Sequence, residues 1–276
     1  PITSTTFNPS DKGASLILSG GNLTWHNAFT PPGSVRSIAS ISKGKWYFEC
    51  SLTATGEVGS VAAIGLGLSS VSLTGYYPGE RPDSYAIRLM QTGAPAYKVG
   101  IISNGSYTEI GACSSTIVAI VAWDADSGKL WLGYNGTWYG AGDPGSDIAP
   151  TFTGVSGLFY ALGGGDIGVA DTEYGIVNFG ASSFSYTVPS GFTGSIVVSA
   201  SASSGGTISD EGSTLVISGT NKVYTITPNN GFRIFDVVVD GSSVGTPSTY
   251  EFLNITDDHT IAVTFTSILH PLFMVM

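Results

Sequence analysis

Apolar and polar residues alternate along most of this chain with a period of two, and short glycine-rich turns break the alternation at close intervals. That pattern admits strands with one buried face and excludes amphipathic helices. The stretch "SKGKWYFECSL" (42–52) shows it plainly. Trp46, Phe48, Cys50 and Leu52 fall on one face, and Tyr47, Glu49, Ser51 and Thr53 on the other. A turn from Ser42 to Gly44 therefore feeds a strand, with Trp46 and Phe48 in the core and Tyr47 on the opposite face. On this reading truncating Trp46 to alanine costs ~3–5 kcal/mol, as for a large core ring. The alternation predicts further strands near 15–19, 22–26, 34–41, 45–54, 61–69, 84–90, 96–102, 106–111, 117–123, 129–135, 157–163 and 174–179. Two hairpins stand out. "WDADSGKLWLGYNG" (123–136) turns between Asp126 and Gly128, and "YNGTWYG" turns at Asn135 and Gly136. Apolar runs are short, β-branched and interrupted by glycine, so no helix is expected. The fold class is all-β, a sandwich rather than alternating β and α units.

Hydrophobic residues make up 42% of the 276, enough for a sizeable core. Charged residues are only 11%, and polarity comes instead from Ser, Thr, Asn and 38 glycines. The net charge of −10 is shared evenly between residues 1–190 and 191–276. No basic stripe exists for a phosphate backbone, so nucleic acid is excluded as a partner, and anionic membrane surfaces with it. No apolar run is long enough to span a bilayer, so membrane insertion is not expected. Cys50 and Cys113 form neither a disulfide framework nor a metal spacing and read as free thiols. The chain shows no signal peptide and begins at Pro1 without Met, which suggests a trimmed start.

A seam follows the first strand set. "SYTVPSGFTGS" (185–195) has Pro, two glycines and no aliphatic periodicity. Beyond it six short strands are expected, at 195–202, 214–219, 222–228, 232–241, 249–255 and 259–266. Their expected core is Val198, Ile208, Tyr224, Ile226, Ile234, Val237, Val239, Phe252, Ile261, Val263 and Phe265. The domain division is 1–190, a β-sandwich; 191–267, a small all-β module; and 268–276, an apolar tail.

The chemistry of catalysis is sparse. Jelly-roll glycosidases need carboxylates paired on one strand, and Asp171 with Glu173 lack a third partner. No Gly-x-Ser-x-Gly elbow, P-loop or His-Glu-x-x-His occurs, and His26, His259 and His270 are scattered. Asp124, Asp126 and Gly128 have calcium-like spacing, but Lys129 follows where a further acid belongs, so a hairpin turn is expected. "GGGDIGVADTEYG" (163–175) suits calcium better, with Asp166, Asp171 and Glu173 in one loop. No cofactor is implied. The sequons at Asn22, Asn104, Asn135 and Asn254 matter only in a glycosylating host. Exposed aromatics carry more information. "LTGYYPGERPDSY" (73–85) offers Tyr76, Tyr77, Arg81 and Asp83, and "YNGTWYGAGDPGSD" (134–147) offers Trp138 and Tyr139. Rings beside Asp, Asn and Arg suit sugar stacking and protein hot spots alike. The same rings could instead fold back as lids on the sandwich ends.

Several motifs carry a family likeness. "FNPSDKGASLILSGGNLTW" (7–25), "SVRSIASISKGKWYFE" (34–49), "AAIGLGLSS" (62–70), "VAIVAWDADSGKLWLGYNG" (118–136) and "GLFYALGGG…YGIVNFG" (157–180) resemble the SPRY domain in order and spacing, most closely its form in bacteriophage structural proteins. The resemblance implies a bent, concanavalin-like sandwich of two antiparallel sheets, recognition by rim loops, and no catalysis. Residues 194–267, with "YTITPNNGFRIFDVVVDGSSVG" (224–245), resemble the bacterial repeat module of adhesins, related to internalin-type B repeats and used there as a spacer or attachment unit. Together they imply a binding module on a virion surface (tail fibre, spike or capsid appendage) that recognises host-surface glycan or protein and contacts other virion subunits. The alternatives are a secreted adhesin or filament subunit at the cell surface and, disfavoured by the missing carboxylates, a jelly-roll enzyme. No heptad appears, and the sequence leaves a homo-oligomer open.

Overall fold

The computed structural model describes residues 5–28, 31–93, 96–157, 159–166, 173–192, 196–216, 221–253, 255 and 259–268. Contacts divide the chain into two units, one of Thr5–Gly194 and one containing Ser195–Met276. The first unit contains β1 (Phe7–Lys12), β2 (Leu16–Ser19), β3 (Thr24–Asn27), β4 (Gly33–Ile41), β5 (Lys45–Ala54), β6 (Val61–Leu68) and β7 (Ser84–Gly93). It continues with β8 (Ala96–Ser103), β9 (Ser106–Cys113), β10 (Thr116–Asp124), β11 (Lys129–Tyr134), β12 (Thr137–Trp138), β13 (Phe159–Asp166) and β14 (Glu173–Asn178). They form two seven-stranded sheets, in the orders β1-β4-β13-β6-β7-β8-β9 and β12-β11-β10-β5-β14-β3-β2, and every recorded pairing is antiparallel. The all-β sandwich expected from the alternation is the architecture observed. Strand β1 was not anticipated, because "FNPSDK" buries only Phe7 and carries a proline.

The centre of the second sheet shows why alternation fixes the fold. Strands β5 and β10 pair in a register that sets Phe48 opposite Val121, Cys50 opposite Ala119 and Leu52 opposite Ile117. All six point into one core shared with Ala62, Ile64 and Leu66 of the facing sheet. A one-residue slip would turn this whole row outward. Trp25 is wholly buried between the sheets, and its ring fits because two glycines leave room. A Cβ on Gly163 would lie 2.5 Å from Trp25 Nε1, and one on Gly175 would lie 2.6 Å from the same atom. These glycines belong to the "GLFYALGGG" and "YGIVNFG" motifs.

Trp46 departs from expectation. Cross-strand from Trp123, it is only partly buried, and its indole N–H donates to the Lys43 carbonyl at 2.7 Å. Position explains this: the β14 pairing with β5 stops at Glu49, so Trp46 has a paired strand on one side only, whereas Trp123 lies between β5 and β11. Tyr47 lies on the opposite face, as its parity demands, yet it is more buried than Trp46. The described part of the expected seam, residues 185–192, explains why. With Phe184 it packs against the outer face of the second sheet, where Phe184, Tyr186, Val188 and Phe192 cover Tyr47, Ile120, Ala122 and Trp131. Phe184 meets Tyr47 edge-on at 4.9 Å, and Phe192 meets Trp131 at 5.8 Å. Asn178 starts this strap by accepting from the Gly180 N–H and donating to the Ser182 and Ser183 carbonyls. Glu49, 3% exposed, fastens it. Its carboxylate accepts from the Ser185 N–H at 2.8 Å, the Tyr186 N–H at 2.9 Å and the Tyr47 hydroxyl at 2.7 Å. Burial first, and then the Glu49 contact, push the Tyr47 hydroxyl well above its ordinary pKa.

The second unit contains β15 (Ile196–Ala202), β16 (Gly206–Ile208), β17 (Gly212–Val216), β18 (Lys222–Pro228), β19 (Phe232–Val239), β20 (Ser242–Ser243), β21 (Thr249–Phe252) and β22 (His259–Ser267). The sheets run β17-β15-β22-β19-β20 and β16-β18-β21, and β15 pairs in parallel with β22. Both sheets feed one core around Val198, Tyr224, Ile226, Val237, Phe252 and Ile261. Every expected core residue lies in or against it, with Ile234 and Phe265 partly buried. A bulge between Ile234 and Asp236 leaves Phe235 unpaired against β22 and 65% exposed. Asp240 closes the turn after β19, accepting from the Thr260 N–H at 2.7 Å and meeting His259 Nδ1 at 2.7 Å. Residues 269–276, most of the expected apolar tail, lie outside the described residues, as does the sequon asparagine Asn254.

Candidate ligand-binding surface

Trp138 and Tyr139 follow a two-residue hairpin turn. Asn135 (φ 48°) and Gly136 (φ 78°) both take the left-handed backbone that such a turn requires. Gly133 lets β12 close tightly on β11, because a Cβ there would lie 2.4 Å from the Thr137 carbonyl oxygen. One turn of 3-10 helix, Tyr139–Ala141, then leads into a loop held by its own polar groups. Asp143 and Ile148 exchange backbone hydrogen bonds at 2.9 Å each, and the Trp131 indole donates to the Ile148 carbonyl at 2.8 Å. Asp143 Oδ1 accepts from the Gly145 and Ser146 N–H groups, and the Ser146 contacts hold its carboxyl below the usual value. Ala141 (φ 56°) and Ala149 (φ 43°) sit in the left-handed region without being glycine, a local strain the loop must sustain.

This hairpin shapes a shallow cleft of about 160 Å³ lined by Ile110, Tyr134, Thr137, Trp138, Tyr139 and Gly140. Ile110 comes from β9, the edge strand of one sheet, and Trp138 from β12, the edge strand of the other. The cleft therefore opens where the two sheet edges approach. Three aromatic rings line it, two of them hydroxyl-bearing tyrosines, and none of its residues carries a charge at neutral pH. Tyr139 is 37% exposed. Trp138 does two things at once: one side packs edge-on against Tyr47 at 6.3 Å, and the ring also lines the cleft. Trp138 thus folds back on the sheet, as the lid reading expects, while part of its ring still faces the cleft. Sequence alone missed Tyr134, Thr137, Gly140 and Ile110. The first three lie in or beside the quoted hairpin, but Ile110 joins only through sheet pairing.

The 73–85 loop forms a separate patch on the other sheet. Here one expectation is corrected: Tyr77 is not a surface residue. It is 7% exposed, packed with Val61, Ala63, Ala86 and Ile102, and its hydroxyl accepts from Arg88 Nη1 at 2.5 Å. It fills the outer face of β6 and β7, where small residues leave space for a ring. Tyr76 is half-buried and Arg81 and Asp83 are exposed. Arg81 lies over the Tyr76 ring, 4.4 Å from its centroid. Asp83 raises the Tyr85 hydroxyl, an effect secondary to that residue's burial. Arg36, not anticipated as important, holds the chain just before this loop: its Nη1 donates to both Asp11 carboxylate oxygens at 2.9 and 3.0 Å, and its Nη2 donates to the Ser69 and Val71 carbonyls.

The expected calcium set falls largely outside the described residues. Asp171 and the side chain of Asp166 lie outside the described residues, and Glu173 is fully buried at the start of β14, opposite Ala54. Among the described residues no group of three or more His, Cys, Asp or Glu side chains is placed to hold a metal. Asp124 is a turn former. Its Oδ1 accepts from the Asp126 and Ser127 N–H groups at 3.1 Å each, and Lys45 lies 3.5 Å from Oδ2. Burial alone would raise this carboxyl, but the Ser127 hydrogen bonds and the Lys45 charge hold it below the usual value.

No family model matches the chain, and no curated protein does. Solved structures do. The chain is similar to the SPRY domain of human HERC1, at 13% identity and TM-score 0.45, over 62% of this chain and 96% of that one. It is similar to the TRIM65 PSpry domain, at 12% identity and TM-score 0.44, over 64% and 90%. A human SPRY domain aligns at 21% identity and TM-score 0.41, over 61% and 98%.

Proposed function

We propose that this chain is a non-catalytic recognition module displayed on a virion surface, and that its aromatic cleft receives a neutral sugar ring of a host-surface glycan. The cleft carries this reading: Trp138, Tyr139 and Tyr134 offer stacking faces, Thr137 and the tyrosine hydroxyls can read sugar hydroxyls, and no charge lines it. A charged ligand would lack a partner there. The loop beyond Tyr139 is internally hydrogen-bonded, so little ordering cost attends binding. The virion setting rests on the likeness of residues 5–190 to phage SPRY domains and of 194–267 to an adhesin repeat. The SPRY and repeat families, rather than the cleft, supply that setting.

The test is binding of the full chain to host cells and to a neutral glycan array. Tyr139→Ala should weaken binding by ~1–2 kcal/mol with melting unchanged, since the ring is exposed. Trp138→Ala should weaken binding too, but with some loss of stability from the Tyr47 contact. Adsorption indifferent to both variants contradicts the proposal.

A further inference from the structure

We infer that the Arg81–Tyr76 pair is a second contact site, one that docks a partner protein by taking a single Asp or Glu carboxylate. This surface is separate from the aromatic cleft and does not depend on it.

The first ground is rigidity. The loop that presents the pair is pinned from within. The Gly75 N–H donates to the Pro32 carbonyl at 2.8 Å, and Ser34 Oγ donates to the Tyr76 carbonyl at 2.9 Å. The Tyr77 N–H reaches Glu80 Oε2 at 3.0 Å, and the Gly79 N–H reaches Ser84 Oγ at 2.6 Å. The Gly105 N–H of the neighbouring hairpin donates to the Gly79 carbonyl at 3.0 Å. With Tyr77 buried beneath as an anchor, Tyr76 and Arg81 are held outward on a fixed frame.

The second ground is an open guanidinium. Five other cations pair with carboxylates: Arg36, Lys45, Lys98, Lys129 and Lys222. Arg81 instead lies on a tyrosine face, and among the described residues no hydrogen bond or ion pair engages its fork. Glu80 is committed to the Tyr77 N–H. Stacking preorients the planar fork, so less freedom is lost when it grips a carboxylate with two parallel hydrogen bonds.

The third ground selects the partner. A glycan is read through many hydroxyl contacts, and several of this loop's backbone groups, the Gly75, Tyr77 and Gly79 N–H groups and the Tyr76 and Gly79 carbonyls among them, are already used. The loop's exposed side offers one fork and one ring, the residue types that dominate protein interface energies, with the Asp83 carboxylate on the same loop. A net charge of −10 repels polyanions at long range, which favours an isolated acid over an acidic tract.

The test pans the full chain against a displayed random-peptide library and measures recovered peptides against wild type, R81Q, Tyr76→Ala and Tyr139→Ala. Recovered peptides should share one Asp or Glu. Changing that acid to its amide, or Arg81 to Gln, should each weaken binding about tenfold, with the double change little worse. Tyr139→Ala should leave these affinities unchanged. Peptides without an acid, equal binding to R81Q, or loss only in Tyr139→Ala would overturn the inference. So would Arg81-dependent binding of oligogalacturonate in place of peptide, which would make the surface a glycan site. None of these outcomes bears on the neutral-sugar cleft, whose variant is Tyr139→Ala on a glycan array.

Discussion

Glu49→Gln tests how the outer face of the second sheet is held. The carboxylate accepts three hydrogen bonds in a site only 3% exposed. Oε1 serves the Tyr47 hydroxyl and the Tyr186 N–H, and Oε2 serves the Ser185 N–H. Glutamine keeps one oxygen, so at best two acceptances survive, and its NH₂ then faces a backbone donor. Losing the charge weakens the two that remain by about 1 kcal/mol each, and the orphaned donor adds about 1 kcal/mol or more. The expected loss is about 3 kcal/mol. Glu49→Ala, which strands all three donors, should cost ~3–5 kcal/mol. Urea unfolding followed by tryptophan fluorescence should show a lower midpoint with an unchanged slope. Hydrogen exchange should speed first at Ser185 and Tyr186, the amides the carboxylate holds. A Glu49→Gln protein within ~0.5 kcal/mol of wild type, with those amides still protected, would refute the clamp.

Other outcomes follow from the same packing. Trp123→Ala should cost ~3–5 kcal/mol, because that ring is buried and its indole donates to the Val155 carbonyl at 3.1 Å. Trp46→Ala should cost clearly less, and paired denaturation curves would show the order. Gly163→Ala should destabilise by ~1–3 kcal/mol or more, since the new methyl meets Trp25 at 2.5 Å and Phe7 at 2.7 Å, two rings with no room to retreat; calorimetry would measure it. Burial raises the hydroxyls of Tyr47, Tyr85, Tyr107 and Tyr224 above their ordinary value of 10.0. The folded state holds these protons more tightly, so their contribution is complete below pH 10.0 and is lost as pH rises through the raised values. An alkaline absorbance titration should show tyrosines that ionise only as the protein unfolds, and Tyr47→Phe should flatten part of that loss.

Much of the fold was legible because alternation is local. The β5 parity, the Asn135 and Gly136 turn, and the second core from Val198 to Val263 follow from period-two patterning and turn chemistry. What sequence could not show was coverage. Residues 185–192 look like a linker because Pro, Gly and scattered aromatics have no period, yet they bury a sheet face through Tyr186, Val188 and Phe192. Glu49 reads as a solvent-facing strand residue until that strap lies over it. Tyr77 reads as a loop aromatic until the small side chains of β6 and β7 are seen to leave it a socket. Trp46 and Trp123 look equivalent by pattern and differ because Trp123 lies between β5 and β11, whereas the β14 pairing on the other side of β5 stops at Glu49, short of Trp46. The cleft was half visible: its hairpin is a local motif, whereas Ile110 arrives from another sheet, a pairing no periodicity encodes.

The most direct measurement is an NMR titration of the full chain with neutral glycans from an array, following the Trp138 indole N–H. The account predicts saturable shifts there and at neighbouring amides of Thr137, Tyr139 and Gly140, reached only at about 5- to 30-fold higher glycan in Tyr139→Ala. Neutral glycans that leave the Trp138 signal unmoved at saturation, or that shift only residues away from the hairpin, would contradict it.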